Sequence, residues 1–113
     1  SQAWESTRRI LEEKMNVRVL KIVFNPENNI FQVIVEINQI QHNFNLNIET
    51  DLLNNQPLQI IQGDEKFQEL FQWNRELGQK IYEMVSQVYK QENLDLPINL
   101  EDLELSAEPA LNY

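Results

Sequence analysis

From Phe31 to Ile48 the chain alternates apolar and polar positions, FQVIVEINQIQHNFNLNI, the period of a β-strand with one dry face. Phe31, Val33, Val35 and Ile37 form one run, and Ile40, Phe44, Leu46 and Ile48 form the next, with His42 in phase. A two-residue turn at Asn38 and Gln39 pairs Ile37 with Ile40, Val35 with His42, Val33 with Phe44 and Phe31 with Leu46, all on one face. A slip of one residue would set each apolar run against a polar one, so the pattern specifies the register.

Upstream, VRVLKIVF at 17–24 is β-branched and NPENN has turn chemistry, so a third strand joins the meander. Pairing Phe24 with Phe31, Ile22 with Val33 and Leu20 with Val35 extends the dry face. The other face carries Gln32, Glu36, Gln41, Asn43, Asn45, Asn47 and Glu49, together with Val19, Val23, Ile30 and Ile34. TDLLNNQP reads as a turn and LQII at 58–61 as a short fourth strand. Residues 3–15 read as a short helix with Trp4, Thr7, Leu11 and Met15 on one stripe.

Gly63 and Asp64 announce a second helix, with Asp64 as N-cap and Glu65 in the first turn. Apolar positions then recur at 67, 70, 71, 77, 81, 84, 85 and 88, and Gly78 within that stripe suggests close approach of another backbone. A helix over 65–91 would be about 40 Å long, against about 20 Å for a sheet of this kind. Its distal end, at Met84, Val85, Val88 and Tyr89, then needs a cover other than the meander. The segment after Asn93 alternates Leu94, Leu96, Ile98 and Leu100 with polar residues and carries Glu101, Asp102 and Glu104. It is expected to wrap the helix end, add as an edge strand, or order on a partner.

The reading is an α+β fold: an N-terminal helix, a three- or four-stranded antiparallel meander, a long C-terminal helix packed on the sheet, and an extended acidic tail. Residues 1–93 form the single domain and 94–113 a partly disordered acidic-apolar tail. At 113 residues the chain has enough length for one core, and with no cysteine it has no disulfide framework, thiolate zinc site or cysteine nucleophile. No apolar run approaches a membrane span, so a soluble, cytoplasmic protein is expected.

Charge narrows the partner class. The net charge is −9; residues 1–21 hold five basic and three acidic side chains, residues 22–91 four and nine, and residues 92–113 none and six. Such a field repels phosphates and steers basic proteins inward, so no direct nucleic acid and no membrane is expected as partner. The order helix, three-strand meander, helix resembles that of double-stranded RNA-binding domains, and the layout with its acidic balance is similar to that of secretion chaperones. The RNA-binding modules require a basic N-terminus on the second helix; this one opens Gly63-Asp64-Glu65-Lys66, so the resemblance implies no RNA function.

Catalytic chemistry is thin. His42 is the only histidine, both glycines are isolated, and no nucleophile motif, phosphate loop or metal-ligand spacing occurs. No catalytic residue, cofactor or metal is assigned and no enzyme is expected. The expected function is a protein–protein interaction module, an adaptor or small assembly subunit, that binds a basic protein partner, with homodimerisation as the competitor. The residues expected to carry it are Trp73, Tyr82, Val85, Val88, Tyr89, Leu96, Leu100, Glu101, Asp102 and Glu104, as aromatic anchors, distal helix stripe and acidic tail. The second reading is an acidic inhibitor that imitates nucleic-acid phosphates in a basic cleft.

Overall fold

The computed structural model describes residues 15–102 and the backbone of 111–112. Four strands follow one another antiparallel: β1 (Val17–Asn25), β2 (Ile30–Ile37), β3 (Ile40–Leu53) and β4 (Gln56–Gly63). Two helices come next, α1 (Glu65–Phe71) and α2 (Arg75–Tyr89). A two-residue β5 (Ile98–Asn99) pairs antiparallel with β1, and β6 (Leu111–Asn112) runs parallel to β4 at the opposite edge. The strand order is β5-β1-β2-β3-β4-β6. Among the described residues no helix is long and apolar enough to cross a membrane.

The central hairpin has the register its pleat demands: Phe31 lies opposite Leu46, Val33 opposite Phe44, Val35 opposite His42 and Ile37 opposite Ile40. Phe31, Val33, Val35, Phe44 and Leu46 have no exposed surface, while Gln32, Gln41, Asn43, Asn45 and Asn47 point to water from the other face. Asn38 and Gln39 take φ of 49° and 70°, the left-handed pair of a type I′ hairpin turn that follows the twist of the strands.

Three expectations are corrected. β1 carries a bulge between Val19 and Lys21, so Val19, not Leu20, lies opposite Val35, and Val19 is fully buried instead of facing outward. The fourth strand is longer than LQII: TDLLNNQP is not a loop but the end of β3, the start of β4 and a tight turn at Asn54 and Asn55, with φ of 52° and 64°. The long helix is two helices. Its stripe continues in phase, but the chain leaves the helix at Gln72–Asn74, and the Asn74 side chain caps α2 by accepting from the Leu77 N–H at 3.3 Å.

With the break, the 40 Å rod becomes a fifteen-residue α2 of about 22 Å, and the overhang disappears. Met84 and Val85 are fully buried, and Tyr89 packs edge-on against Phe24 and Phe31 with ring centroids at 5.7 and 6.2 Å. The meander itself covers the distal stripe. Leu94, Leu96 and Ile98 pack half-buried against the same core. The helix expected over 3–15, except for the buried Met15 at its end, and the acidic residue Glu104 lie outside the described residues.

Because Gln39 holds a left-handed conformation that costs a side-chain-bearing residue about 1 kcal/mol, Gln39→Gly is expected to raise stability by up to about 1 kcal/mol. The urea midpoint should move up with an unchanged slope. A midpoint that falls would show that the turn is not under this strain.

Candidate functional site

A cleft of about 670 Å³ lies between α1 and α2. Its geometry begins at Asp64, whose Oδ1 accepts from the Phe67 N–H at 2.9 Å as N-cap and whose Oδ2 accepts from the Asn45 N–H of β3 at 2.8 Å. One carboxylate thus fixes where the helix starts and which strand it starts from. Phe67 and Phe71 then fall on Phe44, with centroids at 5.4 and 6.0 Å, and on each other at 4.7 Å.

Tyr82 of α2 closes this aromatic floor, its ring 5.1 Å from that of Phe67. Its hydroxyl accepts from the Gly63 N–H at 3.1 Å, so α2 is tied directly to the end of β4. Burial pushes the Tyr82 phenol above its ordinary value of 10.0; the Gly63 hydrogen bond opposes this and the nearby Asp64 carboxylate adds to it.

Both glycines serve this packing. A Cβ on Gly78 would lie 3.3 Å from the Cβ of Phe71, so the close approach expected at Gly78 is made by a phenylalanine side chain and not by another backbone. At Gly63 a Cβ would fall 2.5 Å from the Phe67 ring.

The rim is polar: Gln68, Gln72, Arg75, Glu76 and Gln79 surround the aromatic floor. Gln68 Nε2 donates to the Gly63 carbonyl at 2.8 Å and separates the cleft from a second depression of about 490 Å³. That depression lies where the amide face of the sheet meets α1, against Asn45, Asn47, Gln62, Asp64 and Glu65.

Of the residues singled out by sequence, Tyr82 lines the cleft and Trp73 sits half-buried in the turn between the two helices. Val85 and Leu100 are fully buried, Val88 and Leu96 half-buried, and Tyr89 lies on the edge of the core. Glu101 and Asp102 are exposed on a 3₁₀ turn (Leu100–Asp102) far along the chain from the cleft. Sequence reading placed Phe67 and Phe71 in a core stripe and missed the cleft, because the cleft exists only through the helix break. The signal was Asn74 followed by Glu76, a cap type ahead of an acidic first turn.

His42 stacks on Phe44 in parallel at 5.9 Å, half-buried and away from the cleft lining. Among the described residues no group of three histidine, aspartate or glutamate side chains converges as a metal site. Compared with known proteins, the chain matches no family model, no curated protein and no solved structure.

Tyr82→Phe removes the acceptor of a buried N–H and should cost about 1–3 kcal/mol at neutral pH. The raised phenol favours the folded state fully below pH 10.0, and that contribution is lost as pH climbs through the higher folded-state value. Denaturation of both proteins should therefore show the wild-type advantage shrinking above pH 10.0. A pH-independent difference would mean that the hydroxyl ionises as freely folded as unfolded.

Proposed function

We propose that this chain is a non-catalytic protein-binding module that receives apolar side chains of a partner protein in the cleft between α1 and α2. The observation that carries the reading is the cleft's chemistry: an aromatic floor of Phe67, Phe71 and Tyr82 within a rim of amides and one adjacent Arg75/Glu76 pair. That combination suits desolvation of an apolar anchor with hydrogen bonds at the border, the pattern of interface pockets. The groups that line it include no nucleophile paired with a base. The net charge of −9 supports a basic partner drawn in by long-range attraction.

The proposed site differs from the one expected on the distal helix. The distal stripe of the helix is core, so Val85 offers no surface to a partner, whereas the proximal half of α2 faces the cleft through Gly78, Gln79 and Tyr82.

The test is capture followed by a purified titration. A photo-crosslinking side chain at exposed Gln72 should trap a protein from the native extract, and that protein, purified, should bind the wild-type chain. Gln79→Trp, which fills the cleft from its rim, should weaken binding at least about tenfold, about 1.4 kcal/mol, with circular dichroism unchanged. Equal affinity for both forms would place the interface elsewhere.

A further inference from the structure

We propose that the tip of the β3–β4 ribbon is a wedge that inserts into an apolar slot bordered by basic side chains on a partner protein. β2 stops pairing with β3 at Ile30 and Asn47, yet β3 continues to Leu53 and pairs with β4 to the turn. Five residues, Glu49–Leu53, thus project about 17 Å beyond the sheet with no described neighbour on the β2 side.

Among the described residues the ribbon's β3 edge is open and its β4 edge carries β6 only at Ile60 and Ile61, and both edges are blunted. Hydrogen-bonded pairs alternate from the turn, so Thr50 and Leu52 turn their amides away from β4, and Pro57 faces the opposite edge. The Leu52 N–H is taken by the Asp51 carboxylate at 2.8 Å, and Pro57 has no N–H to give. Strand addition is therefore disfavoured on either side. With the Leu52 and Pro57 positions closed to pairing, apolar contact falls to the side chains.

Those side chains are Leu52 and Leu53, 67% and 58% exposed, adjacent in the chain and so on opposite faces of the ribbon. A flat partner covers one of them; a slot covers both. The turn at Asn54 and Asn55 holds the tip in a fixed shape, which lowers the ordering cost of insertion.

Charge selects the slot. From Ile22 to Glu65 the chain has no lysine or arginine, but six acidic residues, of which Glu49 and Asp51 precede the leucines on the face that Leu53 shares. An anionic bilayer is repelled, and a rim of lysine or arginine is attracted. The inference shares with the proposed function the premise of a protein partner, but it concerns a different surface.

The test follows backbone amide resonances of the full chain during titration with an amphipathic helical peptide of leucine and lysine, whose apolar stripe is bordered by cations. Shifts should centre on Asp51–Gln56, weaken with salt, and vanish when glutamate replaces lysine in the peptide. Leu52→Ser with Leu53→Ser should weaken binding about tenfold at an unchanged unfolding temperature. Shifts centred on Gln68, Gln72 and Gln79, binding indifferent to the double substitution, or tip signals lost preferentially on neutral phosphatidylcholine vesicles would each overturn the wedge. Failure of the wedge by any of these outcomes leaves the Gln79→Trp comparison able to succeed or fail on its own, so the two surfaces fail separately.

Discussion

Asp64 is the joint on which this fold turns. Its backbone N–H donates to the Asn45 carbonyl at 2.9 Å, its Oδ2 accepts from the Asn45 N–H, and its Oδ1 caps α1. The residue is therefore the last rung of the β3–β4 ladder and the first of the helix together. A charge-assisted bond to a backbone N–H is worth roughly 1.5–3 kcal/mol, and two such bonds from one carboxylate restrict the chain to one departure angle. From that angle follow the seating of Phe67 and Phe71 on Phe44, the need for no side chain at Gly63 and Gly78, and the mouth of the cleft.

α2 is held from more than one side. Leu77, Ile81, Met84 and Val85 belong to the core, yet Lys80, Glu83 and Ser86 are buried as well. Lys80 and Ser86 are each held by a protein partner. Lys80 Nζ donates to the Leu100 carbonyl at 2.9 Å and lies 3.9 Å from the carboxylate of Glu76, and Ser86 Oγ bonds Gln59 of β4 at 3.3 Å. Glu76 is largely exposed, so solvent screens that ion pair, and the Leu100 carbonyl is the contact that compensates the buried ammonium. The consequence is topological: the 3₁₀ turn, and with it β5 on the free side of β1, is fastened to the same helix whose other face carries the core.

How much of this was legible in the sequence depended on whether one periodicity decided the matter. The hairpin register and its two-residue turn were, because Phe31–Ile37 and Ile40–Ile48 have a single pairing that keeps their alternating apolar positions on one face. The bulge in β1 was not: VRVLKIVF places valine or leucine at 17, 19, 20 and 23 and isoleucine at 22, so apolar residues fall on both phases and only packing against Val35 chooses Val19. The helix break was hidden for the opposite reason. A stripe in phase across Gln72–Asn74 looks continuous, and the competing signal is a single capping asparagine. The candidate site inherited that error, since a cleft between two helices cannot be seen where one rod is assumed, and the inferred overhang pointed to Val85 and Tyr89 instead.

The remaining surface sorts itself by what association can gain. The outer face of the sheet is broad, but it presents Gln32, Gln41, Asn43, Asn45 and Asn47, side chains that exchange water for a partner with a net gain of only about 1 kcal/mol per hydrogen bond. Apolar area removed from water contributes roughly 25 cal/mol per Å² without needing exact partner geometry. By that measure the amide face is a surface that stays wet, and the acidic residues around it act at long range, on encounter more than on lifetime. The apolar side chains most open to a partner are Leu52 and Leu53, where the β3–β4 ribbon outruns its neighbours, and Ile40 at the β2–β3 turn, whereas Phe67, Phe71 and Tyr82 beneath the cleft are themselves packed in the core. The cleft and the ribbon tip both arise at asparagines: Asn74 starts the second helix and so opens a cleft above side chains that stay in the core, and Asn54 and Asn55 reverse a ribbon whose leucines have no cover of their own.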